Sequence, residues 1–176
     1  MSPAPTGHLV VIDLQHVFGD AGSPWAAPRF GEIIEPIERL VAAFEPAVTF
    51  TRFVAPEHPS GAWIEYYRRW PFALQPPDDP MYALVAPFVD RPAVPATTFG
   101  KWSELAGVVG DDIVMTGVST DCCVISTVLA AADAGVKVRV VADACAGVND
   151  ETHAQALAVM ALYEPLVQVV ASDAVA

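Results

Sequence analysis

The sequence predicts a three-layer α/β fold of Rossmann-like type, with a mostly parallel central sheet and helices on both faces. Three observations predict it. Short β-branched runs recur along the chain, helix-like stretches separate them, and the runs are apolar almost throughout rather than alternating, as befits strands covered on both sides. With 176 residues and 53% hydrophobic content, the chain is long enough for one domain spanning 1–176 with a sizeable core, and too short for two.

The elements follow in order. "HLVVID" at 8–13 is a first buried strand. A helix is expected at about 31–44, where Ile33, Ile37, Leu40 and Val41 share a face. "AVTFTRF" at 47–53 is the second strand. The stretch 57–84, "EHPSGAWIEYYRRWPFALQPPDDPMYAL", is crowded with aromatic and proline residues and has no clear period, so a functional loop with a short helix is expected there. In "TTFGKWSEL" a short extended piece gives way to a helix start. "DDIVMTGV" at 111–118 and "VKVRVVAD" at 136–143 are strands joined by a helix of about 122–134. "ETHAQALAVMALY" is a helix capped by Asn149 or Asp150, and "LVQVVA" at 166–171 is the last strand.

Charge and composition narrow the function. A formal charge of -12 and a pI near 4.4 repel phosphate backbones and anionic bilayers, so neither nucleic acid nor membrane is an expected partner. No uninterrupted apolar run of about 20 residues occurs, and "MSPAPTGHLVVIDLQ" lacks the basic and long apolar parts of a secretory signal; a cytoplasmic protein is expected. Three cysteines, two of them adjacent, match no disulfide framework or zinc-ribbon spacing, so free thiols are expected.

In open parallel sheets, reactive groups gather beyond the carboxyl ends of strands. That rule selects Asp13, Arg52, Cys122, Cys123 and Asp143, with Lys101 as a further candidate at its helix start. Each also has a plain structural reading: a cap for Asp13, an exposed side chain for Lys101, a small buried hydrophobe for a cysteine. Their joint placement at one sheet edge favours a site. On a helix of 122–134, Cys122 borders the apolar face of Val124, Ile125, Val128, Leu129 and Ala132, whereas Cys123 lies opposite with Ser126 and Thr127. Cys122 is then expected in the core and Cys123 as the exposed thiol, its thiolate favoured by the helix N-terminus.

Three blocks, "VVIDLQHVF", "TTFGKWSEL" and "GVSTDCCVISTVLAAADAGVKVRVVADACAG", resemble the isochorismatase-like cysteine hydrolases, and the similarity covers nearly the whole chain. The resemblance implies a catalytic set of Asp13, Lys101 and Cys123. It also implies a non-proline cis peptide between Val118 and Ser119, with the amides of Ser119 and Cys123 as oxyanion hole. The implied chemistry is hydrolysis of a C–N bond in a small amide or ureido compound through a thioester on Cys123, with no cofactor.

Departures from subgroups of that family sharpen the expectation. Where nicotinamidases of this fold carry histidine metal ligands, this chain reads "TFTRFVAPEHPSGAW", with only His58 beside Glu57, so no metal is expected. The family's vinyl-ether hydrolases lack the cysteine, which leaves the branch of carbamoylsarcosine amidase and ureidoacrylate amidohydrolase. The alternatives are a vinyl-ether hydrolase and a non-catalytic binding or assembly module. Arg52 is expected either to hold a substrate carboxylate or to form a structural ion pair. Trp25, Trp63, Tyr66, Tyr67 and Trp70 are expected either in the pocket wall or, for most of them, at an interface between copies of the chain, since a homo-oligomer acting on a small molecule is expected. Cys145 and Asp143 are read as structural and His153 as a helix-surface or capping residue, while His8 and His16 flank strand one without base-like spacing.

Overall fold

The computed structural model describes residues 5–175. Six parallel strands form one sheet in the order β3-β2-β1-β4-β5-β6: β1 His8–Ile12, β2 Val48–Phe53, β3 Ala93–Ala96, β4 Asp112–Val118, β5 Lys137–Ala146 and β6 Val167–Val170. The strand direction of growth reverses between β1 and β4, so a crevice opens beyond their carboxyl ends.

Side-chain alternation along β1 feeds two cores. Leu9 and Val11 face a layer containing α1 (His16–Gly19), α2 (Phe30–Phe44) and α3 (Trp63–Arg69). Val10 and Ile12 face α4 (Trp102–Leu105), α5 (Ile125–Asp133) and α6 (Asp150–Ala161). All four residues are fully buried. The expected three-layer fold is observed, with the α2 stripe Ile33, Ile37, Leu40 and Val41 buried as its spacing required. Asn149 is the cap of α6, its side chain accepting from Thr152 N at 2.8 Å.

Two elements differ from the sequence expectation. β3 is a sixth strand, at the sheet edge, where Pro95 can stand because an edge strand does not need every amide for the ladder. The helix expected at 122–134 is divided: Thr120–Val124 is a π-helical turn and α5 begins only at Ile125. The wider turn changes the angular phase between Cys122, Cys123 and the helix that follows.

Candidate active site

Asp13 immediately follows β1 and has φ 51°, a left-handed conformation uncommon for a residue with a side chain. Its neighbour strand β4 approaches closely there. Gly117 has φ 110°, and a Cβ on it would lie 2.1 Å from the Ile12 carbonyl oxygen, so only glycine lets the two strand ends meet. Beyond Gly117 the Val118–Ser119 peptide is cis.

The Asp13 carboxylate and the Lys101 ammonium form an ion pair at 3.1 Å, and both side chains are 0% exposed. Thr51 from β2 donates to Asp13 Oδ1 at 2.8 Å and accepts from the Asp13 amide at 3.3 Å. Among the described residues, Asp13 Oδ2 has the Lys101 ammonium at 3.1 Å and no other polar partner. That oxygen therefore keeps its capacity to take a proton. Lys101 is itself held from three sides. Its ammonium donates to Thr98 O at 2.6 Å and sits 5.3 Å from the Phe53 ring centroid, and its amide donates to Thr127 Oγ1 at 3.0 Å. Burial opposes the ammonium charge, but Asp13 and the cysteines outweigh it and hold the Lys101 pKa above its ordinary value.

Thr127 links this lysine to the cysteine turn, because its hydroxyl also donates to Cys123 O at 2.7 Å. The expected orientation of the two cysteines is reversed. Cys123 is buried, packed in the α5 side of the core, and Cys122 is the partly exposed one. The physical reason is the π turn, together with the burial of Thr127 and Ala131, which puts the small-residue stripe of α5 inward. The expected resting ionisation is reversed as well. A hydrogen bond with Cys122, then burial, then Asp13 push the Cys123 thiol well above its ordinary value, whereas its hydrogen bond with Cys123 lowers Cys122. Burial thus disfavours a thiolate on Cys123 in the resting site.

Both cysteines and Ser119 line a cavity of about 290 Å³ whose remaining wall is largely aromatic: Phe18, Trp25, Phe53, Tyr66, Trp70 and Phe99. Trp25 is the hub, with ring centroids 5.8 Å from Phe53, 5.9 Å from Tyr66 and 6.1 Å from Trp70. Trp63 stands behind this wall, 5.1 Å from Phe99 and 5.2 Å from Tyr66, and does not itself line the cavity. Tyr67 is buried. Burial, and then the two cysteines, push the Tyr66 phenol up, so its hydroxyl stays protonated.

Arg52 is not part of the cavity; its guanidinium donates to Pro77 O at 2.9 Å. Strand alternation explains the placement, since Thr51 and Phe53 turn to the site and Arg52 to the opposite side. His8 lies at the other end of β1, 2.8 Å from Thr49 Oγ1, and His16 is paired with Asp20 at 2.9 Å on the surface. Asp143 accepts from the amide and hydroxyl of Ser172, and burial pushes the Cys145 thiol up to about 12.

Sequence reasoning missed Thr51, Thr127, Gln15 and a clasp on the cysteine turn. Gln15 is fully buried and ties the loop after β1 to the backbone of Phe53 and Tyr82. In the clasp, Thr120 Oγ1 meets His153 Nδ1 at 2.8 Å, while Asp121 accepts from Val148 N at 3.0 Å and from the Thr152 hydroxyl. Composition does not single out Thr51 in "TFTRF", where Thr49 and Arg52 are polar as well.

Comparison with known proteins identifies the family. The model of the isochorismatase domain matches residues 8–174. The chain belongs to the isochorismatase family. No curated protein matches it. Among solved structures, a cysteine hydrolase from Pseudomonas syringae pv. phaseolicola 1448A is similar with a TM-score of 0.80 at 19% identity, over 99% of this chain and 95% of that one. An isochorismatase-like hydrolase from Alkaliphilus metalliredigens gives 0.78 at 20% identity, over 96% and 97%. The pyrazinamidase of Pyrococcus horikoshii, in complex with zinc, gives 0.72 at 22% identity, over 93% and 98%. At these identities the likeness is one of fold.

The zinc of that last structure raises the question of a metal here. After β2 this isochorismatase-family chain offers Glu57 and His58, which are 3.8 Å apart and extend into solvent. Among the described residues no three His, Cys, Asp or Glu side chains converge as metal ligands. The residues present do not fit a zinc site, and no chemical step is routed through one.

Proposed function

We propose that the protein is a cysteine-dependent hydrolase of the C–N bond in a small amide or ureido compound, acting through a thioester on Cys123. The observation that carries this reading is the fully buried Asp13–Lys101 pair, placed with the buried Cys123 at the floor of the cavity. A buried carboxylate held in place by a fixed lysine and Thr51 is positioned to act as base for that thiol.

Asp13 takes the Cys123 proton as Sγ attacks the carbonyl carbon, and the amides of Ser119 and Cys123 receive the oxyanion. Collapse expels the amine, which takes the proton from Asp13 and leaves the thioester. Water then attacks, giving its proton to Asp13; the second collapse releases the acid, and the thiolate recovers that proton. Lys101 offsets the negative charge throughout.

Ammonia release from a panel of primary amides and ureido acids tests the reading, with an acid quench and peptide mass mapping to find the acyl group. Release is expected with wild type, with an acyl adduct on the Cys123 peptide, and is expected to vanish in Cys123→Ala. Undiminished release by Cys123→Ala, or no release from any member of the panel, overturns it.

A further inference from the structure

Among the described residues, no Asp, Glu, Lys, Arg or His lines the cavity. Its floor offers Ser119 and two thiols, its wall six aromatic rings, and Tyr66 adds a hydroxyl that stays protonated. The charges nearest the site, Asp13 and Lys101, are already committed to each other. The strand-end guanidinium that could have clamped an acid, Arg52, is engaged by Pro77 O outside the cavity. A carboxylate entering this space would lose its water without gaining a partner, in a chain that already carries a net charge of -12. A flat hydrocarbon group, by contrast, can meet rings on several sides.

We propose that the site selects neutral amides with a flat, apolar acyl group of about one ring, and rejects acyl groups bearing a carboxylate, with Trp25, Tyr66 and Trp70 setting that preference. The proposal rests on the hydrolase reading above and names the substrate class for it. Trp25 sets the width of the cavity because it touches the rings of both the other two. The Tyr66 hydroxyl is the polar handle of the wall, since Tyr66 lines the same cavity as both cysteines, where the amide group of a substrate must lie.

Matched pairs separate the charge from the size. Benzamide is compared with 4-carbamoylbenzoate, and hexanamide with its chain-end carboxylate, by ammonia release and by calorimetric binding to Cys123→Ala. The neutral member of each pair is expected to have a kcat/KM higher by about a hundredfold or more, the penalty of an unpartnered buried anion. Benzamide is expected to outperform hexanamide. Trp25→Ala is expected to weaken benzamide binding at least tenfold and to close the gap between benzamide and hexanamide; Trp70→Ala, which removes one ring of the same wall, serves if the first variant does not fold. Equal or better turnover of the carboxylates, lost in Cys123→Ala, overturns the selectivity and leaves the hydrolase standing. Benzamide binding to Cys123→Ala without turnover by wild type removes the hydrolase and keeps the pocket assignment. Neither binding nor turnover of the neutral amides overturns the proposal.

Discussion

The floor and the wall of the cavity are built by different physics. The floor is a set of directional contacts at strand ends: Asp13 with Lys101 at 3.1 Å, Thr51 on Asp13 at 2.8 Å, Thr127 on Cys123 O at 2.7 Å. The wall is a set of ring contacts between centroids 5.5 to 6.1 Å apart, drawn from α1, the loop before α2, the end of β2, α3 and its end, and Phe99. Hydrogen bonds and ion pairs fix atoms to within tenths of an ångström, whereas ring packing fixes a volume and tolerates rearrangement. Changes in the floor should therefore cost chemistry and stability together, and changes in the wall should cost selectivity.

The largest effect should come from Lys101→Met. It removes the partner of a fully buried carboxylate, a loss of about 3–5 kcal/mol in stability. Asp13 can escape that penalty only by taking up a proton, and a protonated Asp13 is no base, so kcat should fall by about 10²–10⁴-fold. Urea denaturation and single-substrate kinetics measure both. The double variant Asp13→Asn with Lys101→Met should regain much of the stability and none of the activity. Wild-type stability in Lys101→Met alone would mean that the floor is no more constrained than the wall.

The same contrast explains what could be read from the sequence. The places of Asp13 and the cysteine turn are legible because strands of a covered parallel sheet announce themselves by composition, and the ends of β1 and β4 then locate the crevice; Lys101 is legible only as the start of a helix in "TTFGKWSEL". The wall stayed open between pocket and interface because 57–84 has no period: α3 is a single helix of 7 residues among prolines, and ring packing leaves no spacing rule in the chain. Arg52 shows a subtler loss. Its place near the end of β2 was legible, but the face it takes depends on which of two alternating sets meets Asp13, and Thr51 already held that position. For Cys122 and Cys123 the helix was anticipated and its phase was not, because hydrogen bonds from Val124 N to Ser119 O widen the turn by one residue.

A smaller effect tests that turn. Iodoacetamide at neutral pH should label Cys122 before Cys123 in the resting protein, since Cys122 is more accessible and its thiol is lowered, whereas the Cys123 thiol is raised. Cys122→Ala should keep turnover within about tenfold of wild type, as expected for a truncation that leaves the base and nucleophile in place. It should also speed alkylation of Cys123, because the contact that raises this thiol most has gone. Peptide mapping after brief alkylation gives the order directly. Faster labelling of Cys123 than of Cys122 in wild type would restore the orientation expected for an ordinary helix beginning at residue 122.

The smallest effect concerns the clasp behind the floor. Burial lowers the pKa of His153, with Arg29 acting in the same direction while Asp121 and Asp150 act against it; burial also lowers His8, at the far end of β1. A histidine whose folded pKa lies below its unfolded value near 6.5 stabilises the fold above that pH, and the contribution is lost as pH falls through 6.5 toward the folded value. Both residues should therefore make the protein less stable on mild acidification, and His153→Gln and His8→Gln should each flatten the decline seen in denaturant midpoints. Only one of them is joined to the site. His153 holds Thr120 in the cysteine turn, so His153→Gln should lower kcat several-fold and alter its acid limb, whereas His8→Gln, bonded to Thr49 away from the cavity, should leave kcat and its pH profile as they are. Equal kinetic effects of the two substitutions would show that Thr120 needs no support from α6, and that the floor is positioned by the strand ends alone.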